Sequence, residues 1–512
     1  MSRILARQGD RCFELWAKKG EILLEVLRRG GVELSAPCGG NGKCGKCRVE
    51  IHCRGGRERV LSCRYAVERD LEIYLPERSG GSICAQGDTV YITTNPGRSG
   101  LGAALDIGTT TLVMKLFDLA DGRELGTGSA WNCQAAFGAD VISRCQYVME
   151  HGDGLELLRG GIRAQALSMA AELAEGAGRA GEQLKELYIA GNTVMEHIFM
   201  GLSPVGLAVA PFRAESLFTG GEAISLDGIQ CFASPCAAAY VGGDVMAGLL
   251  SSGLWQRDGL NLFLDIGTNG EMALGGRDGF ACCSVASGPA FEGAGIGCGM
   301  ASIDGAVTAV KWNGQGFEKE VIGGGEAGGL CGSGLISLLA LLLELGAVDG
   351  TGRLLSPEEA PEQLRPWLSE DENGNGCFRL TERVYLSAGD VRQLQLAKAA
   401  VAAGIEVLTG SMGIAAEDID RVYIAGGFGS HLDTRAAAAI GMLPGELAEK
   451  TVVLGNSALS GAAMALLDVE SRARLDEIQA KCRYIELSGD TRFNRAFPMH
   501  MMFTEEDEPE WN

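Results

Sequence analysis

Three cysteines within ten residues form the densest chemistry in the chain: CGGNGKCGKC, with Cys38, Cys44 and Cys47 separated by four glycines. Thiolates at this spacing bind iron or zinc. A cluster carrying inorganic sulfide needs backbone N–H donors at close range, and glycine lets the chain wrap it without Cβ clashes. A further thiolate follows at Cys63, in LSCR, just before a strand-like run. Cys38, Cys44, Cys47 and Cys63 make the four-thiolate set of a [2Fe–2S] cluster. Only fifteen residues lie between Cys47 and Cys63, so Cys53 competes for the fourth position. Zinc is the alternative metal, but its sites favour two C-x2-C knuckles or histidine partners, and one such pair exists here.

A second chemistry repeats downstream. Ala103–Val113 reads AALDIGTTTLV and Leu262–Met272 reads LFLDIGTNGEM, about 160 residues apart. Each is an apolar strand, the turn DIGT and a second strand, with a later Asp-Gly turn at Asp121–Gly122 and at Asp278–Gly279. Small residues at a hairpin tip present backbone N–H groups to phosphate oxygens, and threonine hydroxyls add donors. The aspartates at the strand ends, Asp106 and Asp265, suit Mg²⁺ held through water, because Mg²⁺ gives up its water shell reluctantly. A third element, VYIAGGFG at 422–429, ends an apolar strand in glycines against which an adenosine can lie flat. No G-x-x-x-x-G-K-[ST] occurs, which excludes a P-loop. One G-x-G-x-x-G does occur, at Gly323, Gly325 and Gly328, but the following helix starts too late for a dinucleotide fingerprint.

These sites need scaffolds. Residues 10–75 read as short strands and one helix, with Ile22–Leu27 helical and Arg48–Ile51 and Leu71–Leu75 extended. The repeat reads as two similar α/β halves facing one cleft, with helices at about 155–180, 333–347 and 391–412. The expected organisation is a cluster domain at 1–78, a linker at 79–99, a first half at 100–255, a second half at 256–486 and a tail at 487–512. Residues 351–385 are polar and turn-rich and read as a surface insertion.

Composition narrows the function classes. The 512 residues carry a net charge of −22, which argues against a general nucleic-acid binder, since phosphate neutralisation needs a basic face. Gly is 76 of 512, about twice the usual share, without the Gly-X-Y period of collagen. The first twenty residues hold no apolar run of signal-peptide type, and the longest apolar run, Leu335–Leu343, is too short to span a bilayer. Seventeen cysteines in that setting suggest a reducing cytoplasm, with thiols and metal ligands rather than disulfides. Outside the loop, Cys282, Cys283, Cys298, Cys331 and Cys377 lack metal spacing and read as plain thiols. None of the five histidines stands four residues from another, and His197 reads as structural.

The order of motifs resembles the reductive activators of corrinoid-dependent methyltransferases. The resemblance runs from the cysteine loop through FGADVISR (137–144), IAGNT (189–193), SGPAFEGA (287–294) and LCGSG (330–334). It continues with QLAKA (395–399), AGGFG (425–429) and LGNS (454–457). It implies an α+β ferredoxin-like (β-grasp) domain followed by a duplicated α/β actin-like ATPase fold. It implies that Gly108, Thr109, Thr110 and Thr111 follow Asp106 in the first phosphate loop, and that Gly267, Thr268 and Asn269 follow Asp265 in the second. Gly426, Gly427 and Gly429 would border adenosine, and IAGNT would connect the halves. One departure is Asn132-Cys133-Gln134, where the family pattern has Asn-Pro-Gln.

The resemblance implies ATP, Mg²⁺ and a [2Fe–2S] cluster as cofactors, and a corrinoid protein and a low-potential electron donor as partners. It also implies a homodimer, with no role for nucleic acid or membrane. The reaction is return of inactive Co(II) to Co(I). A plant-type cluster sits near −400 mV, and the family's cobalt couple lies lower. Each 100 mV costs about 2.3 kcal/mol per electron, so ATP must drive the step. Two other classes share parts of the pattern. Activators of 2-hydroxyacyl-CoA dehydratases have the ATPase fold without the N-terminal ferredoxin. A small-molecule kinase with a regulatory cluster could draw a base from Asp244 or Glu271.

Overall fold

The computed structural model describes residues 1–8, 11–30, 32, 34, 42, 47–53, 56–75, 98–370, 374–426 and 431–503. The chain divides into two compact units, one holding the described residues up to Ala233 and the other those from Ser234 onward.

The first unit begins with a five-stranded mixed sheet. Ser2–Gln8 pairs antiparallel with Arg11–Ala17 and parallel with Leu71–Tyr74. Leu71–Tyr74 continues to Arg48–Cys53, which forms a hairpin with Gly56–Leu61. The one helix, Leu23–Arg29, buries Leu23, Leu24, Val26 and Leu27 against Ile4, Ile51 and Ile73 of the sheet. This is the helical i, i+1, i+3, i+4 face. The helix stops at Gly30, where a Cβ would stand 2.2 Å from Leu15 Cδ2. A central parallel pair formed by the first and last strands, with one helix across the sheet, is the expected ferredoxin-like arrangement.

The rest of this unit is built on a six-stranded sheet. Leu101–Ile107, Thr111–Asp118 and Glu124–Trp131 form an antiparallel meander. Leu184–Gly191 lies parallel to the first of these, and Ile229–Ala233 parallel to it in turn. The second unit repeats this wiring. Asn261–Ile266, Gly270–Gly276 and Gly279–Val285 form the meander. Arg421–Ala425 and then Thr451–Val453 follow in parallel. Central strands of this kind are covered on both faces, which explains their near-continuous apolar runs: Leu101, Ala103, Ala104, Leu105 and Ile107 are all buried.

The expected helices form as Gly154–Gly176, Gly332–Glu344 and Ala388–Met412. The last starts earlier than periodicity implied because Ser387 and Asp390 make a reciprocal capping box. The segment 351–385, expected as a surface insertion, is mostly exposed or half-buried but carries buried anchors. Leu368–Glu370, Gly376–Arg379 and Tyr385–Ser387 form a small sheet, and Leu364, Phe378, Val384 and Leu386 are fully buried in the main core of the second unit. Polar residues alternate with these anchors, so composition alone hid them. The G-x-G-x-x-G run forms no dinucleotide turn. Gly323, Gly324 and Gly325 take φ values of +75°, +70° and +99° after the strand Phe317–Val321, and the helix begins only at Gly332.

Candidate functional site

Of the four expected cluster ligands, Cys47 and Cys63 lie within the described residues; Cys38 and Cys44 lie outside them. The register of the following hairpin explains the short spacing. Arg48 faces Leu61, so the fifteen intervening residues run out and back and return the chain to its start. The Ser62 N–H donates to the Cys47 carbonyl at 2.9 Å. Cys63 follows in a single turn, Ser62–Arg64. Neither thiol is in a disulfide, and both pack on the apolar core of this domain. The backbone of Cys53 sits at the far end of the hairpin, opposite Gly56. At about 3.3 Å per residue that is roughly 20 Å from Cys47. A thiol pair joined at the open end of one hairpin suits a compact cluster.

The first DIGT turn, expected as a phosphate loop, is held from behind by its carbonyls. The Asn132 side-chain amide donates to the Gly108 carbonyl at 2.8 Å, and the Asn132 backbone N–H donates to the Thr110 carbonyl at 2.9 Å. The Thr109 carbonyl accepts from Arg144 Nη2. Asn192, the N-cap of the helix Thr193–Met200, donates to Thr109 Oγ1 at 3.0 Å. A trans peptide points its N–H opposite its C=O. Pinning the Gly108 and Thr109 carbonyls therefore turns the Thr109 and Thr110 amides away from Asn132 and Arg144. Gly108 is required, because a Cβ there would stand 2.6 Å from the Thr111 carbonyl.

Arg144 is fully buried and also donates to the Gly138 carbonyl at 3.1 Å and to Gln134 Oε1 at 3.3 Å. Burial pulls its pKa down to about 10, so it stays charged at neutral pH. At the departure from the family pattern, the Cys133 N–H donates to Gln165 Oε1 at 3.0 Å, a bond proline could not make.

The second loop has the opposite surroundings. Glu292 accepts from the Thr268 N–H at 2.9 Å and from its hydroxyl at 3.1 Å. Both donors expected for phosphate at Thr268 are therefore engaged by a carboxylate. Ser287 Oγ donates to the Gly267 and Thr268 carbonyls at 3.0 and 3.2 Å, and the Gly267 N–H donates to the Asn269 carbonyl at 2.9 Å. Burial, then Asp244 and Glu292, push the Asp265 carboxyl up to about 7. Glu271 is raised by burial, then by Asp244 and Asp265. Every charged group acting on Asp265 is another carboxylate. Among the described residues no three His, Cys, Asp or Glu side chains close into a metal cage.

Gly426 follows the strand Arg421–Ala425 at φ +92°, where a Cβ would stand 3.0 Å from Asp265 Oδ1. The predicted adenosine glycine Gly426 thus abuts the second loop's aspartate, whereas Gly427 and Gly429 lie outside the described residues. Sequence reasoning missed Arg144 and Glu292 as loop supports. The only signal was their membership in FGADVISR and SGPAFEGA. Other candidates resolve as structural. His197 is buried, with Nδ1 2.7 Å from the Thr193 carbonyl, while Nε2 faces the Ser216 N–H at 3.4 Å. Lys398 in QLAKA donates to the Met502 carbonyl and lies over the Phe503 ring. Cys282, Cys283 and Cys331 are buried in the core.

Two models of one family span both DIGT regions: "RACo middle region" matches residues 101–257, and "C-terminal domain of RACo the ASKHA domain" matches residues 259–512. The chain belongs to the RACo family. A model described as "2Fe-2S iron-sulfur cluster binding domain" matches residues 10–68, which contain all four expected ligands of this RACo chain. The "Corrinoid activation enzyme RamQ" of Eubacterium limosum is 28% identical over 586 residues, covering 96% of this chain and 97% of that protein. The "[Co(II) methylated amine-specific corrinoid protein] reductase" of Methanosarcina barkeri is 26% identical, covering 74% and 71%. A solved structure, "Reductive activator for corrinoid,iron-sulfur protein", superposes on this RACo-family chain with a TM-score of 0.71 at 29% identity and 98% coverage of both. Among the described residues no helix is long and apolar enough to cross a membrane.

Proposed function

We propose that this chain is an ATP-dependent reductive activator that delivers one electron to the Co(II) form of a corrinoid protein and restores Co(I). The observation that carries the reading is the union, in one RACo-family chain, of a hairpin presenting Cys47 and Cys63 with two glycine-threonine loops of the ATPase type. Cys38 and Cys44 complete the ligand set, with Cys63 rather than Cys53 as the fourth. The cluster supplies one-electron transfer. The amides and hydroxyls of residues 108–111 cradle phosphate, and Asp106 and Asp265 hold Mg²⁺ through water. Gly426, Gly427 and Gly429 border the adenosine. Glu292 must release Thr268 before the second loop can donate to a phosphate. A divalent cation brought in with the nucleotide offsets the charge that now repels Asp265, Glu271 and Asp244. An external low-potential donor, a homodimer and a cytoplasmic setting belong to the same proposal.

The electron must be driven uphill, at about 2.3 kcal/mol per 100 mV. A nucleotide does this only if it binds one conformation better than another, and about 5.5 kcal/mol of differential affinity swings a two-state equilibrium almost completely. The test is anaerobic. The protein is mixed with a Co(II) corrinoid protein, a strong reductant and Mg·ATP, and Co(I) is followed by its visible spectrum. Co(I) forming only with ATP is the expected result; no ATP-dependent Co(I) with any corrinoid protein of the source genome overturns the reading. The ligand assignment has its own check. Cys63→Ser abolishes or shifts the cluster's visible and paramagnetic spectra, and Cys53→Ser leaves them intact; the reverse pattern would move the fourth ligand to Cys53.

A further inference from the structure

Within the first unit the ferredoxin-like domain is fastened to the ATPase sheet by Arg28. The helix Leu23–Arg29 hangs from the cluster turn, because the Leu23 N–H donates to the carbonyl of Tyr65, two residues past Cys63. At its other end the Arg28 side chain is only 3% exposed. Arg28 Nε donates to the Ala136 carbonyl at 2.6 Å, and Nη1 bonds Glu25 at 2.7 Å. The guanidinium lies over the rings of Phe137 and Tyr147, at 5.4 and 5.5 Å from their centroids. Such cation–π contacts gain when desolvated, as this one is. Among the described residues the buried Nη2 has no hydrogen-bond partner. The docked state therefore leaves one buried donor unsatisfied, which costs it stability.

Ala136 and Phe137 belong to the segment that grips the first phosphate loop. Asn132 and Arg144 hold the carbonyls of Gly108, Thr109 and Thr110, while Gln134 joins Arg144 to the Leu158 carbonyl. One stretch of chain, 132–147, thus touches the phosphate loop through Asn132 and Arg144 and the cluster domain through Ala136, Phe137 and Tyr147. Side chains fastened this way have discrete arrangements rather than a continuous range.

We propose that Arg28 is a positioning residue coupling the first phosphate loop to the cluster domain. Nucleotide bound at residues 108–111 then changes how the helix Leu23–Arg29 is held; this rests on the reading of those residues as a nucleotide loop. Coupling is reciprocal: the factor by which nucleotide shifts docking is the factor by which docking shifts nucleotide affinity.

The test uses the full-length, cluster-loaded protein with Mg and a non-hydrolysable ATP analogue. Hydrogen exchange is read at 23–29 and 132–147, together with the paramagnetic spectrum of the reduced cluster. In the wild type the analogue changes exchange at 23–29 by at least threefold and shifts the cluster spectrum. Arg28→Ala abolishes both responses while analogue binding persists, and Arg28→Lys restores part of them. Should Arg28→Ala fail to load its cluster, Phe137→Leu provides the same reading, because it weakens the ring contact and leaves the helix sequence untouched. Analogue binding without a response at 23–29, or a wild-type response in Arg28→Ala, overturns the coupling alone. No analogue binding at all overturns the nucleotide-loop reading and the coupling with it. A response at 23–29 without ATP-dependent Co(I) leaves the coupling standing and sinks the corrinoid reading.

Discussion

The two DIGT turns share four residues and a sheet topology, yet the protein backs them with opposite charges. Behind the first stands a buried cation, Arg144, bonded to the Thr109 carbonyl. Against the second stands a carboxylate, Glu292, taking both donors of Thr268, while burial and then the neighbouring Asp244 raise the pKa of Asp265 and of Glu271. The first loop thus has its carbonyls tied back and its Thr109 and Thr110 amides turned away from Asn132 and Arg144. The second gathers carboxylates that, with burial, hold Asp265 and Glu271 above the ordinary carboxylate range. Duplication supplied one turn twice, and the residues brought from elsewhere differentiated the copies.

This contrast can be broken experimentally. The largest effect is expected at Arg144. Arg144→Met leaves the Thr109 and Gly138 carbonyls without their buried donor, so the first unit should lose about 1–3 kcal/mol of stability, read from the denaturant midpoint. A loss below about 0.5 kcal/mol, the range of an ordinary surface change, would mean the loop does not depend on the cation.

Asp265→Asn should act in the other sense. It removes one of several repelling carboxylates, so thermal stability holds or rises, while Mg·ATP binding at pH 8 weakens by tenfold or more, about 1.4 kcal/mol per decade. The wild-type carboxyl, raised to about 7, takes up a proton as pH falls through neutrality. Cation binding needs the ionised form. Affinity for Mg·ATP should therefore climb from pH 6 to pH 8 in the wild type and be flatter in Asp265→Asn, by calorimetric titration. Equal slopes would place the titrating group elsewhere.

Glu292→Gln is the mildest change. The amide oxygen can still accept from the Thr268 N–H, but the charge facing an incoming phosphate is gone. Nucleotide affinity should rise by about three- to tenfold, up to ~1.4 kcal/mol. A weaker-binding variant would show that Glu292 assists the nucleotide instead of competing with it.

How much of this was legible beforehand follows the range of each interaction. The cysteine loop, the DIGT pair and the long helices are local patterns, and they stood in the sequence. Arg144 reaches back 35 residues to Thr109, and Glu292 reaches back 24 residues to Thr268. No periodicity or spacing announces such contacts. The short spacing that left the fourth ligand open reflects hairpin register: Arg48 pairs with Leu61 next to Cys63, and Cys53 pairs with Gly56 at the far end. In the segment 351–385 polar residues outnumber anchors such as Leu364 and Phe378 that tie it to the core, so composition did not announce those anchors.

The most direct test of the whole account is a single turnover without external reductant. Protein reduced beforehand at its cluster, and freed of the reducing agent, is mixed with a Co(II) corrinoid protein in a stopped-flow cell, with Mg·ATP or with Mg·ADP. The account predicts Co(I) appearing with ATP alone, in step with cluster oxidation and at no more than one per cluster. Equal Co(I) with either nucleotide, or cluster oxidation without Co(I), would contradict it.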